Sequence, residues 1–405
     1  VVGAGLLGLA HALEARRRGL SVVLLDRSAR ATGASVRGSG HLFFSALESG
    51  PALEAASMAR ARWLELAEQA GTAADRAGTL ILARNPEEMA LLEAAAADPA
   101  RKARIRSAKK IARLAPIPVD QIVGGLYAKG DLRIGPRSAP GALARLLGKD
   151  RHARVEWGAH VHAVEPGVVH SGRLQVRAQA IVVCPGVEYG TLPAELRPDG
   201  SGLTVRQAQM LRLSAPSGRR YRPTLTTGAS LLEHAGLGAL DAAARLRERL
   251  ELEQPELVEH GLSLTVTQLA NGELLAGSTI AYTGDPMPYS RERLDEVLLA
   301  QTSRLLGLEP RVRQRWANTH CTAGDDSGDF VTTRPMAGVR VVLGVRATAM
   351  ALCHSHAGAV LEELLAGPNG TDMYITVRDM RSHAVTDTGV RAHPTVFGSR
   401  RPART

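Results

Sequence analysis

The chain opens on Val1-Val2-Gly3-Ala4-Gly5-Leu6-Leu7-Gly8, a GxGxxG spacing at the tail of an apolar strand. Each glycine has its own physical task. Gly3 allows a tight turn, Gly5 lets a diphosphate approach the backbone, and Gly8 lets the following helix pack closely on the sheet. Residues 9–18 read as that helix, Gly19 as its stop, residues 21–25 as a second apolar strand, and Asp26 as the acidic residue at its end. The amides that open the helix then face phosphate oxygens. The complete strand, turn, helix and strand, more than the glycines alone, points to dinucleotide binding; a purely structural βαβ turn is the alternative.

Length and charge narrow the class. With 405 residues the chain buries a large core, and two intertwined domains are expected in preference to one. Lys+Arg number 50 against 40 Asp+Glu, a net +10, but the arginines are dispersed and aromatics make up only 3%. That combination lacks a base-stacking platform, so an arginine-rich surface, with some pull on anionic substrates, is expected before nucleic-acid binding. Cys184, Cys321 and Cys353 are too far apart for a metal motif or a disulfide framework, which predicts no metal and a reducing, cytoplasmic home. No signal peptide and no apolar run of membrane-spanning length stands out. The chain starts inside its first strand, as a trimmed chain would.

Further along, residues 51–69 carry helical periodicity through Leu53, Ala56, Ala59, Trp63, Leu64 and Ala67, all core candidates. A strand is predicted over 78–83, a helix over 86–97, a strand and turn over 124–137, and a helix over 140–147. Short strands follow at 155–161, a hairpin at 168–175 and a buried strand at 179–186. Residues 203–213 read as one strand. Residues 262–269 alternate with period two, Asn271-Gly272 is a hairpin signal, and 273–278 is the return strand. Helices are expected at 240–252 and 290–306. The stretch beyond Gly367 is polar, arginine-rich and weakly patterned, and is expected to be mostly disordered.

After Asp26, residues 27–35 form a small-residue loop where further helix and strand units would extend an NAD-binding domain. This order resembles the FAD-dependent oxidoreductases of the D-amino-acid oxidase, glycine oxidase and sarcosine oxidase superfamily. Within it, Gly33-Ala34-Ser35-Val36-Arg37 is similar to a bacterial branch associated with phosphonate-utilisation genes. The resemblance implies an α/β (α+β) fold: a Rossmann-like FAD-binding domain interleaved with an antiparallel-sheet substrate domain that roofs the flavin. It divides the chain into FAD-binding parts at 1–79, 138–200 and 317–367, substrate parts at 80–137 and 201–316, and the tail 368–405. It also implies non-covalent FAD, held by Gly3, Gly5, Leu6, Leu7, Gly8, Asp26, Arg27, Ala34, Ser35, Arg37, Val161, Cys184, Gly186, Ala349 and Met350. Backbone near Val161 would meet the adenine, and the turn from Cys184 to Gly186 would close over the diphosphate.

The implied activity is oxidation of a small primary or secondary amine, such as an amino acid, an N-methyl amine or an aminophosphonate. Hydride passes to the flavin N5 and the imine hydrolyses in water. Such chemistry needs positioning and a dry pocket before it needs an acid or base, so no dedicated catalytic side chain is assigned. Implied partners are the amine and oxygen or another electron acceptor, with no nucleic acid; a homo-oligomer stays open. A dehydrogenase passing electrons to a quinone or protein is one alternative, and a flavin-binding protein with little turnover is another.

Substrate contacts are drawn from Arg212, His320, His41 and Met350. Arg212 closes a stretch that resembles the branch's Gln-Met-Met-Arg motif, and a plain surface arginine is its alternative. His320 stands near where glycine and D-amino-acid oxidases place a carboxylate-clamping Arg. His41 either faces the ring or lies in a solvated loop. His354 and His356, two apart, are expected at the helix surface or lining a pocket. Three departures stand out. Ala347 and Ala349 replace the glycines of a Gly-x-Gly-Met pattern, where each methyl would crowd the ring, and Gly38 replaces an Asn. Cys321 is read as a small core residue in preference to a covalent flavin tether.

Overall fold

The computed structural model describes residues 1–198, 202–214, 218–283, 287–324, 327–366, 375–379 and 385–387. A parallel sheet forms around the N-terminus. Val22–Asp26 pairs in parallel with Ala153–Trp157, and Val2 bridges Leu25 on one side and Val183 on the other. Ile181–Val183 pairs in parallel with Val339–Gly344, whose far edge takes Phe330–Thr333 antiparallel. Val22, Val23, Leu24 and Leu25 are all buried, because both faces of this sheet are covered. Leu6–Arg17, Pro51–Gln69, Ala139–Gly148 and Ala349–Leu365 bury Leu9, Leu13, Trp63, Leu143, Ala357 and Leu361 in a shared core on one side. On the other, the strands Val161–Glu165, Val168–Ser171 and Leu174–Ala178 add Val169 and Val176 to a second core with Val23, Leu25 and Val341.

A second sheet has eight strands in the order Arg311–Thr322, Thr204–Ser214, Leu274–Thr283, Thr265–Gln268, Thr224–Thr227, Thr79–Ala83, Gly124–Ala128 and Ala103–Arg106. It is mixed, not wholly antiparallel as expected: Thr224–Thr227 runs parallel to Thr79–Ala83. The chain reaches that neighbour by a long excursion through the nucleotide domain, which permits the parallel pairing that a tight hairpin forbids. Its two faces differ by the period of a strand. Leu80, Leu82, Leu211, Leu213, Val266 and Ala276 pack outward against Leu298 and Leu305 of the helix Glu292–Leu306. Full burial of one such leucine is worth roughly 1.5–3 kcal/mol. Gln207 and Gln209 tie the same helix's approach, accepting from Met287 N and Arg291 N at 2.8 Å each. The alternate residues of Thr204–Ser214, namely Arg206, Ala208, Met210 and Arg212, face the other way.

Most expected elements form with shifted ends. The first helix starts at Leu6, and the loop at 27–35 leads into a short helix, Ala34–Arg37. The strand expected at 262–269 contracts to Thr265–Gln268, and its hairpin turns at Gly272 with φ +87°. The tail departs from the expectation of disorder. Ile375–Asp379 adds antiparallel to Leu174–Ala178 and Val385–Asp387 adds to it in turn, because Val377 is fully buried in the second core. The rest of the tail lies outside the described residues. Among the described residues no helix is long and apolar enough to cross a membrane.

Candidate nucleotide and substrate site

At the opening turn the glycines do what their spacing requires. Gly3 adopts φ +96°, and a Cβ there would stand 2.3 Å from the Cys184 carbonyl oxygen. A Cβ on Gly8 would stand 1.8 Å from the Gly3 carbonyl oxygen, so the helix is seated directly on the turn. Gly5 turns its bare side toward the Ser35 hydroxyl, 3.2 Å from where a Cβ would be. The amides of the helix's first turn have no intrahelical partner. One of them, Leu6 N, donates to Ser35 Oγ at 2.9 Å. Leu7, next along, lies in this same first turn and packs partly against the core.

Asp26 stands at the end of its strand, accepting from Ala4 N at 2.7 Å and from Ser28 N at 2.8 Å. Ala159 N donates to Asp26 O and Gly158 N to Ser28 O, which brings the start of the Val161–Glu165 strand beside the acidic residue. Arg27 pairs with Glu188 at 2.5 Å, two residues past Gly186, which takes φ +59°. Cys184 N is held by Val2 O at 2.8 Å. The structure therefore brings Gly3, Gly5, Leu6, Leu7, Gly8, Asp26, Arg27, Ser35, Val161, Cys184 and Gly186 to one edge of the parallel sheet. Bare backbone, open amides and a terminal carboxylate form a cradle that fits a dinucleotide diphosphate and its ribose.

From Ala34, the chain runs to the second sheet. Arg37 Nε donates to Thr32 O at 3.0 Å, and Trp316 Nε1 donates to Arg37 O at 2.8 Å, joining the loop to the roof. Gly38 leaves room beside Asn318, whose Nδ2 lies 3.8 Å from its vacant Cβ position. Gly40, at φ +75°, presses on the Ile134 carbonyl oxygen, 2.1 Å from a would-be Cβ. His41 is not a solvated loop histidine: it is buried, shares a 2.7 Å hydrogen bond with Thr79 Oγ1 and stacks on Phe43 at 4.4 Å. Burial, with His234 and Arg133 nearby, pushes its pKa down to about 3. The segment is braced from below by Asp131, which accepts from Ser45 N and Ser45 Oγ at 2.8 Å each and whose pKa burial raises to about 6.

The structure places the two alanines that stand for glycines differently. Ala349 turns its methyl inward against Gly344, 3.0 Å from that residue's vacant Cβ position, and is buried there; Ala347 is exposed. Sequence reasoning missed what holds this turn: Thr348 Oγ1 donates to Asp329, Val345 N donates to Asp329 O at 2.9 Å, and Arg346 pairs with Glu48 at 2.9 Å. Met350, half-buried, packs on the first core. Cys321 is fully buried and donates its thiol to Gly186 O at 3.2 Å, with its pKa pushed up to about 12 by burial, as a core residue would be. His354 is a correction: it is buried against Trp63 at 4.8 Å, while His356 stacks on Phe330 at 3.9 Å.

Facing the loop, the inner side of the roof sheet gathers a polar pocket. Arg206 pairs in register with His320, and its guanidinium meets Glu233 at 2.5 Å. His234 follows Glu233 and contacts Phe43 edge to face at 4.9 Å. Burial, reinforced by Arg206, pushes His234 and His320 down to about 4, so both are neutral near pH 7. His320 Nδ1 and Asn318 Oδ1 are buried atoms without a hydrogen-bond partner among the described residues. Arg101, itself buried, fixes the segment by donating to Ser45 O at 2.7 Å, Leu47 O at 2.8 Å and Gly236 O at 3.0 Å. Arg212 lies elsewhere. Six residues along the same strand, its guanidinium is held by Glu273 and reaches Gln314 at 3.4 Å. Arg212 and Arg206 are thus both ion-paired, and Arg206, which sequence reasoning passed over, is the one that stands beside His320. An arginine three strand rows away in the same alternation was the available signal.

Comparison with known proteins agrees with this geometry. No curated protein sequence matches. Glycine oxidase from Geobacillus kaustophilus superposes with a TM-score of 0.70 at 17% identity, over 90% of this chain and 93% of that one. L-proline dehydrogenase from P. horikoshii gives 0.71 at 12% identity, over 89% and 91%. L-alpha-glycerophosphate oxidase from Mycoplasma pneumoniae, with FAD bound, gives 0.69 at 17% identity, over 91% and 95%. These likenesses carry the fold. The DAO family, described as FAD dependent oxidoreductase, matches residues 1–361. With that match over most of its length, and a cradle shaped for the diphosphate of its cofactor, the chain belongs to the DAO family of FAD-dependent oxidoreductases.

Proposed function

We propose that this protein oxidises a small anionic amine, primary or secondary, held beneath the roof sheet beside the loop at 37–41. The single observation that carries the reading is the Arg206, Glu233, His234 and His320 pocket, which faces the loop leading from the nucleotide turn. FAD supplies a two-electron acceptor for the substrate C–H bond. The protein's own residues supply position. Arg206 offers a fixed guanidinium for a carboxylate or phosphonate oxygen. His320, neutral and with an open Nδ1, offers one hydrogen bond to the same group. Phe43 and Met210 supply apolar walls that exclude water.

FAD would be held by Gly3, Gly5, Leu6, Leu7, Gly8, Asp26, Arg27, Ala34, Ser35, Arg37, Val161, Cys184, Gly186, Ala349 and Met350. Glycine oxidase and the iminodiacetate oxidase of Chelativorans sp. BNC1, which superposes at 0.66 and 17% identity, support an amine as substrate. Aminophosphonates stay within the proposal through the Gly33 to Arg37 resemblance. Anaerobic mixing with amino acids, sarcosine and aminophosphonates tests it: bleaching of bound FAD by at least one anionic amine is expected, and a flavin that no amine bleaches rejects it. Peroxide released on admitting oxygen marks an oxidase; its absence, with bleaching intact, marks a dehydrogenase.

A further inference from the structure

Beside the loop at 37–41, an open groove of about 1440 Å³ runs along the roof sheet's far end. Arg76, Arg113, Arg137, Arg219, Arg220 and Arg222 line it, and none of the six has a carboxylate partner among the described residues. Arg133 also lines it and is paired with Asp75, the only carboxylate among the lining residues. Elsewhere several arginines are ion-paired, as are Arg16 with Asp150, Arg249 with Glu87 and Arg293 with Glu256. A solvated arginine face would be ordinary if it were flat and dispersed. Here the six arginines share one groove with Leu114, Ile134, Pro136 and Leu275, and low-dielectric walls focus a single-signed field.

The groove also ends somewhere specific. Ser39 lines it, and Thr267 Oγ1 donates to Ser39 O at 3.2 Å. Arg137 lies over the ring of Trp316 at 5.1 Å, and Trp316 holds the Arg37 carbonyl. Charge at this mouth therefore adjoins the loop between the nucleotide turn and the roof.

We propose that this groove is the approach and recognition surface for an amine carrying two or more negative charges. The inference rests on the amine-oxidation reading and deepens it: Arg206 takes one anionic group at the pocket, and the groove draws in and retains molecules with a second. The shared chemistry is a compact dianion, whether phosphonate, phosphate ester or dicarboxylate. A nucleic acid fits less well, because of the two aromatics that line the groove Tyr221 is buried and Tyr127 is tied through its hydroxyl to Ala77 O.

The test uses the FAD-loaded full chain and the triple variant Arg76→Gln/Arg219→Gln/Arg222→Gln. Arg104→Gln/Arg245→Gln/Arg247→Gln removes the same charge elsewhere and serves as control. The ratio of kcat/KM for a dianionic amine (an aminophosphonate, phosphoethanolamine and iminodiacetate in separate arms) to that for sarcosine should fall about tenfold in the groove variant, with a flatter dependence on ionic strength. The control should keep the wild-type ratio. A second readout needs no turnover: Trp316 fluorescence, identified with Trp316→Phe, should respond saturably to inorganic phosphate and to iminodiacetate, and the groove variant should weaken that response about tenfold. An unchanged ratio together with an unchanged titration overturns the proposal. Tighter binding of a single-stranded oligonucleotide than of any dianion, lost in the groove variant, overturns it in favour of a nucleic-acid surface. If no amine bleaches the flavin, the functional reading falls by itself, and dianion binding that survives then makes the groove an anion site unconnected with amine oxidation, which overturns the substrate assignment.

Discussion

The nucleotide turn and the roof pocket make opposite demands on side chains. At the turn the demand is for absence: Gly3 and Gly8 stand so close to neighbouring carbonyls that a methyl has no place. In the pocket it is for charge, and Arg206, Glu233 and His320 come from a strand, a short 3-10 segment and another strand, the two strands being far apart in sequence. The first is governed by sterics within a few residues, and the second by electrostatics assembled through the sheet. A substitution in the turn should therefore cost folding and flavin together, whereas one in the pocket should cost substrate recognition with the flavin retained.

The largest expected effect lies at the turn. Gly8→Ala forces a methyl onto the Gly3 carbonyl and should destabilise the protein by about 3 kcal/mol, with loss of bound flavin. Urea unfolding and flavin absorbance measure both, and a variant that stays yellow at full stability breaks the steric half of the contrast. Next comes Arg206→Met, expected to lower kcat/KM for anionic amines about 100-fold, or about 2.7 kcal/mol, while FAD affinity holds. Arg206→Lys should recover part of the loss, because a point charge replaces a fork. Equal losses for anionic and uncharged amines would mean that the arginine is merely structural.

Asp26→Asn sharpens the first half from its polar side. It keeps the shape and one acceptor but removes the charge, and should raise the FAD Kd about tenfold, or about 1.4 kcal/mol, by equilibrium dialysis. An unchanged Kd would leave Asp26 as a brace for Ala4 and Ser28 only.

Smaller still is a pH effect at the core beneath the turn. His11 and His354 are buried, which holds them at about 4 and about 3 against an ordinary 6.5. The unfolded chain binds the protons that the folded chain refuses, so the stability associated with the neutral rings is complete above about pH 6.5 and is lost as pH falls from there toward the folded values. About 1 kcal/mol per histidine should disappear between pH 6.5 and 5.5, seen as a lower urea midpoint, and His354→Gln should flatten that slope. Asp131, raised to about 6, acts in the opposite sense, since the folded chain keeps its proton longer and acid relieves its burial. The smallest expected effect is that of Arg212→Gln, within twofold in kcat/KM, because Arg212 pairs in register with Gln314, six residues along the strand from Arg206 and His320. A large loss there would return the anion contact to Arg212.

How much was legible follows the same division. The turn and Asp26 could be placed because their tasks are set by local backbone geometry and apolar periodicity, whereas Ser35 and the Cys184 to Gly186 turn came from the family resemblance. The helix Pro51–Gln69 kept the bounds its pattern predicted. Arg212 was chosen for its place in a short motif, but register put Glu273 beside it and turned Arg206 toward His320. His41 and His354 read as loop and surface residues from their neighbours, yet Thr79 and Trp63, which enclose them, arrive from other parts of the chain. The neighbour of the Ala349 methyl, Gly344, was likewise set by the turn.

By itself, the order of amino acids determined that this protein would begin with a phosphate-facing helix on a parallel sheet, since turn sterics and strand burial act between near neighbours. Only the tertiary structure decided which arginine stands beside His320, which histidines lose their charge and which arginines share one groove. Charge and solvation depend on distances in space, and those are set by how distant strands pair.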